Sequence, residues 1–232
     1  CQNTLSGTRQ ETTLTDTNRQ DFPNTLFCTD ITVLTGIEAV RKRPLMYIGG
    51  QSTRSMADRL VIAAILELTH LPLVNYVKVV LSPELGSGAI TVYTEEPMDP
   101  EKLKVQFTTL QGASSEDRPI AVFCLLALSR RFKLRVATVQ GGYTHTTESW
   151  SFVKGIESPK KEDLYCTQSM SPNSVQIKFD LDHTVLPNIE LSHFNRKLRA
   201  AIEAEDYKRA AIPFQVSFTS KSWTSFSRSC RP

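Results

Sequence analysis

Two basic clusters hold the side chains whose type and spacing best suit contact with an anion. Arg41, Lys42 and Arg43 form the first; Arg130, Arg131, Lys133 and Arg135 form the second. Their guanidinium and ammonium groups offer phosphate contact, and Arg41, Lys42, Arg43, Arg130 and Arg131 are the nucleic-acid candidates. The plainer reading, and the favoured one, is that they are solvated helix ends, the second cluster closing a helix where cations suit the dipole. Metal chemistry finds no pattern. His70, His145, His183 and His193 share no ligand spacing, and Cys1, Cys28, Cys124, Cys166 and Cys230 contain no C-x-x-C pair. The odd, scattered cysteines fit an intracellular, reducing compartment. Glu67 is the one carboxylate in the second half of an apolar segment, where a partly exposed or paired acid is expected.

The elements that must position these groups are legible in outline. A chain of 232 residues, 40% hydrophobic and 22% charged, is long enough to bury a core without disulfides or structural metal. Its net charge of +3 permits nucleic-acid contact without announcing it. No apolar run approaches the roughly 20 residues that span a bilayer, and Leu60 to Leu68 is broken by Glu67; a soluble protein without membrane contact is expected. The chain opens on Cys1 rather than Met, which leaves a processed form and a fragment both open.

Residues 1–30 are rich in Thr, Asn, Gln and Ser without apolar period and read as a flexible arm. A first helix is expected from Gly36 to Arg43, ended by Pro44, and a buried one from Ser55 to His70. Tyr76–Leu81 and Ala89–Tyr93 read as a hairpin, and residues 95–118 as charged turns. A second buried helix follows from Pro119 into Arg130 and Arg131. Strands are then expected at KLRVATVQ, THTTESWSFV, SVQIKFDL and PFQVSF, with an amphipathic helix near Phe194 to Ala204 and a Ser-rich tail over 219–232.

Residues 31–49, ITVLTGIEAVRKRPLMYIG, closely resemble the opening signature of the ATPase domain of DNA gyrase B subunits and their type IIA topoisomerase relatives, approximately I-x-V-L-x-G-L-E-A-V-R-K-R-P-x-M-Y-I-G. Three later stretches are similar to the same family in the same order: AVFCLLALSRRFKLRV, YTHTTESWSFVKGI with its F-x-x-G, and SVQIKFDLDHTVL with Asp182 in the family's F-x-P-D segment. The resemblance covers about residues 31–218 and implies a Bergerat-type α/β sandwich, a mixed sheet with helices on one face, as in heat-shock protein 90 and histidine kinases. It places the first basic cluster within the family's signature, leaving DNA contact resting on family context.

The same resemblance implies a site for ATP and magnesium whose parts are absent. The family's water-activating Glu falls at Ile62 and its magnesium-holding Asn at Leu66, and neither side chain can take a proton or ligate a hard cation. The adenine-recognising Asp falls at Thr94, ahead of EEPMDP rather than Gly-x-Gly. The glycine-rich phosphate lid falls on Gly112 to Ile120, where Glu116 and Asp117 repel phosphate at the helix entrance. No catalytic residue, nucleotide or metal is therefore expected, and Ile62 and Leu66 are expected to fill the vacated volume. The expected function is a degenerate, non-catalytic gyrase B-like pseudo-ATPase serving as a scaffold or a DNA- or nucleoid-associated module. The alternatives are a working ATP-binding fragment of a gyrase or topoisomerase, and a regulatory partner docking through residues 198–211. That last segment resembles the helical-hairpin interaction motif of UvrB and several plastid regulators. A protein partner is expected, with residues 1–30 reaching a second copy or a gyrase-like subunit, and a plastid or other organelle of bacterial ancestry as the compartment.

Overall fold

A computed structural model of the chain describes residues 36–49, 56–82, 86–110, 120–140, 144–158, 173–186, 194–204 and 212–219. The chain divides into two units, Cys1–Val33 and Leu34–Pro232; the first, with the expected arm, and the expected tail from residue 220 lie outside the described residues.

Helix α1 spans Gly36–Lys42 and α2 Pro44–Ile48. Pro44 does not simply end a helix as its sequence suggests. It occupies the first turn of α2, where its missing N–H costs nothing and its fixed φ is already helical. Helix α3, Met56–Thr69, buries eleven side chains, as its near-continuous apolar sequence requires. The hairpin of β1, Val74–Ser82, and β2, Ser87–Thr94, follows. Within the stretch expected to be turns stands a helix, α4, Pro100–Thr108. The Asp99 carboxylate accepts from the N–H groups of Glu101 and Lys102, and Pro100 opens the first turn, so D-P-E-K is an N-terminal helix signal that the charged composition obscures.

Helix α5, Ala121–Ala127, is shorter than its apolar run suggests. Ser129, Arg130 and Arg131 already belong to β3, Ser129–Gln140, so the second basic cluster lies on a strand rather than at a helix end. There β-branched and alternating residues continue the pairing started at Ser129. The remaining elements are β4, Thr144–Val153; β5, Ile156–Glu157; β6, Ser174–Leu181; α6, Phe194–Ala204; and β7, Phe214–Phe218. Lys154 and Gly155 both adopt positive φ, 51° and 83°, giving the two-residue turn that joins β4 to β5 with matching strand twist.

The seven strands form one mixed sheet in the order β5-β4-β3-β6-β2-β1-β7, antiparallel except where β7 runs parallel to β1 at one edge. Alternate residues face one core. Val77, Val79, Ile90, Val92, Val175, Ile177, Phe179, Phe132, Leu134, Trp150 and Phe152 meet Leu60, Val61, Ala64, Ile65 and Leu68 of α3 and the apolar face of α5. Each such aliphatic side chain taken fully from water contributes about 1.5–3 kcal/mol. Helix α3 packs on α5 and α6, and α1, α2 and α4 extend the same helical layer. The result is the two-layer α/β sandwich expected from the sequence, with helices gathered on one face of a mixed sheet.

Candidate functional site

Ile62 and Leu66 stand one turn apart on α3, and both turn toward apolar neighbours. Ile62 is 9% exposed and part of the core; the half-buried Leu66 packs against that core. An i, i+4 pair on one helical face is the arrangement the expected base and metal ligand would need. Here it presents two hydrocarbon surfaces.

Glu67, the next residue, carries a strongly altered carboxyl. Of the two expectations, a partly exposed acid or a paired one, it meets the second: it is 5% exposed, and its Oε2 accepts the N–H of Val122 at 2.7 Å. The N–H of Ala121 also donates to it. These are the first two residues of α5, whose N-cap position holds Ile120, a side chain with no oxygen to offer. A helix start leaves several N–H groups without partners in its own backbone. Glu67 supplies that missing cap from another helix, 55 positions earlier in the chain. Burial lifts its carboxyl from 4.5 to about 7, the two backbone hydrogen bonds opposing part of the rise. The neighbouring Cys124 thiol is buried and pushed up to about 12 by burial, then by the charge of Glu67, so it remains an inert thiol.

Thr94, at the expected adenine position, ends β2. It is buried, its hydroxyl donates to the Glu96 carbonyl at 2.8 Å, and its N–H donates to the Asn173 carbonyl at 3.0 Å. The Asn173 side chain accepts from Val139 N–H at 2.7 Å and donates to the Glu95 carbonyl at 3.2 Å, closing the strand ends around Thr94. In the expected lid, residues 111–119 lie outside the described residues, and Ile120 is described. No group of three His, Cys, Asp or Glu side chains suited to a metal ion occurs among the described residues. Hydrocarbon stands at positions 62 and 66, and the Glu67 carboxyl faces the start of α5.

The nucleic-acid candidates are spread apart. Arg41 is turned inward, donating through Nη1 to the Ala127 carbonyl at 2.8 Å and through Nη2 to Asp182. Burial alone would raise the Asp182 carboxyl, but hydrogen bonds from the Thr184 hydroxyl, Arg41 and the Thr184 N–H outweigh it and hold the group down at about 2. Lys42 and Arg43 are exposed. Arg130 grips Asp180 through Nε and Nη2 at 3.2 and 2.7 Å, and Arg131 is exposed on β3. The four resembling stretches thus interlock. Arg41 of the first bonds α5 of the second and Asp182 of the fourth. Ile37 of the first lies so close over Gly155 of the third that a Cβ there would come within 2.7 Å of Ile37 Cγ2. Of the segment resembling a hairpin docking motif, Leu198 is buried, Ala201 and Ile202 pack on the core, and residues 205–211 lie outside the described residues.

No protein-family model and no curated protein matches the chain. Among solved structures, it is similar to the 43K ATPase domain of Thermus thermophilus gyrase B, determined in complex with an aminocoumarin, with a TM-score of 0.56 and 20% sequence identity. The match covers 82% of this chain and 50% of that one, so the chain spans half the length of the protein it matches. The fold is therefore that of a gyrase B ATPase domain. No helix among the described residues is long and apolar enough to cross a membrane.

Proposed function

We propose that the chain is a degenerate paralogue of the gyrase B ATPase domain, a pseudo-ATPase that serves as a non-catalytic scaffold or nucleic-acid-associated interaction module. The observation that carries this reading is the Glu67 carboxylate on the N–H groups of Ala121 and Val122. A phosphate arriving at the start of α5 would have to displace a buried acid that already takes the N–H groups there. Ile62 and Leu66 support the same conclusion, since a site that has lost both its proton acceptor and its metal ligand gains stability by filling with hydrocarbon. What the chain retains is a stable sandwich whose surface is free to bind partners, and its compartment is one of bacterial ancestry, a plastid or similar organelle.

Thermal unfolding with magnesium and ATP tests the proposal. A working site at a hundredfold excess of ligand over its Kd adds about 2.7 kcal/mol, worth roughly 5–10 °C in a domain of this size. The expected result is no shift at millimolar ATP and no phosphate release above buffer. A saturable magnesium-dependent shift, or hydrolysis that scales with protein concentration, refutes it.

A further inference from the structure

The sheet has a second face. Residues alternating with the core set point away from the helical layer: Tyr76, Lys78 and Val80 on β1, Ala89, Thr91 and Tyr93 on β2, Gln176 and Lys178 on β6, and Arg131, Lys133 and Arg135 on β3. The contacts across this face agree with the register: Gln176 Nε2 donates to Thr91 Oγ1 at 3.1 Å, and the Tyr76 and Tyr93 rings meet at 5.5 Å. None of the described helices covers it.

Its charge is one-sided. Five cations, Lys78, Arg131, Lys133, Arg135 and Lys178, project from this face, against one acid among its described residues, Asp180, which Arg130 already holds. Lys133 and Lys178 are directly opposite each other in the β3–β6 ladder, an arrangement that weakens a sheet by itself. Arg135 follows Lys133 on the same face and stands opposite Gln176; through Thr91 the row continues to Lys78. Three strand spacings carry the positive row about 14 Å across the sheet. At its end lies the tilted tyrosine pair, with the Tyr76 hydroxyl fixed to Gln215 of β7 at 2.6 Å.

We propose that this face of the sheet, which no described helix covers, binds single-stranded nucleic acid, its cations contacting phosphates and the Tyr76–Tyr93 pair offering ring surface to an unstacked base. A flat cationic surface with aromatic rings favours a single strand over a duplex, because a duplex hides its base faces and gains nothing from the rings. The inference rests on the interaction-module part of the proposed function and is independent of the loss of ATP binding.

Fluorescence anisotropy of the full chain with labelled oligo-dT and oligo-U, longer than the about 16 nucleotides of a large single-strand site, against a duplex of equal length, is the test. Binding should weaken with salt and favour single strands. Lys133→Glu turns the like-charge pair into an opposite-charge pair, so the melting temperature should hold or rise while the salt slope falls by about 0.7 for each phosphate that the protein no longer neutralises. Tyr93→Ala should weaken single-strand binding about 5- to 100-fold, with Tyr93→Phe near wild type. Absence of binding at moderate salt, binding untouched by Lys133→Glu in a folded protein, equal preference for duplex, or equally tight binding of polyglutamate would each overturn the proposal. A magnesium-ATP melt on the same sample separates the two readings: a shift with oligonucleotide binding intact sinks only the pseudo-ATPase, and loss of oligonucleotide binding without a shift sinks only this surface.

Discussion

Replacing Glu67 with Gln should abolish a pH dependence of stability located between about pH 4.5 and 7. The carboxyl is raised in the folded protein from 4.5 to about 7, so the fold binds its proton more tightly than the unfolded chain does. The sign follows: its contribution is fully present below about pH 4.5, is lost as pH climbs to about 7, and is level beyond. The whole change amounts to roughly 3 kcal/mol, most of it between pH 5 and 8. Gln keeps an oxygen for the Val122 N–H but must house an amide NH2, with constant costs of about 1–2 kcal/mol. These cancel when wild type and variant are compared across pH. Cys124, the titratable neighbour, is pushed up to about 12 and stays protonated throughout. Urea unfolding of both proteins at half-unit intervals from pH 5 to 8 gives the measurement. The variant should gain on wild type by roughly 2–3 kcal/mol over that range; a difference constant to within about 0.5 kcal/mol, the usual scatter of such comparisons, would refute the buried-acid account.

Arg41→Ala should cost about 2–4 kcal/mol in urea unfolding, because it strips the Ala127 carbonyl of a donor and leaves buried Asp182 without its counter-charge. Lys at that position should recover only part, since one ammonium cannot reproduce the fork. The acid limb gives a second readout. Stability held by Asp182 is present above its ordinary value of 3.8 and lost as pH falls through about 2, and Asp182→Asn should flatten that limb. Gly155→Ala should destabilise by about 1–3 kcal/mol, combining a positive φ with the clash on Ile37. Ile37→Ala in the same chain should relieve the steric part, so that a double-mutant cycle shows favourable coupling; strict additivity would rule out the contact.

Strands and the two long helices are readable because their apolar periods match the faces they bury: the alternation of SVQIKFDL is the alternation of β6, and Phe194 to Ala204 are helical in α6. Helix α4 is obscured because its charged surface resembles a loop, although its Asp-Pro start announces it. The ends of α5 and β3 are misplaced in a linear reading because an apolar run beside arginines suits a helix end as well as a strand start, and only pairing with β6 settles the matter. Glu67 shows where such a reading stops. A lone acid in LVIAAILELT is conspicuous, but its partners, the N–H groups of α5, follow from how two helices pack and leave no trace in local spacing.

Among the described residues, strand β7 is paired only with β1, some 135 positions earlier in the chain, through a register that sets Val77 beside Phe214 and Leu81 beside Phe218. During synthesis, therefore, β1 can pair with β2 almost at once, whereas its other rim stays open until nearly the whole domain has emerged. For that interval the nascent protein displays an apolar strand edge able to recruit another chain. A stop or cleavage before residue 212 would make that interval permanent. The short parallel strand thus covers the rim of β1, and a truncation that removes it should reveal itself as lost solubility.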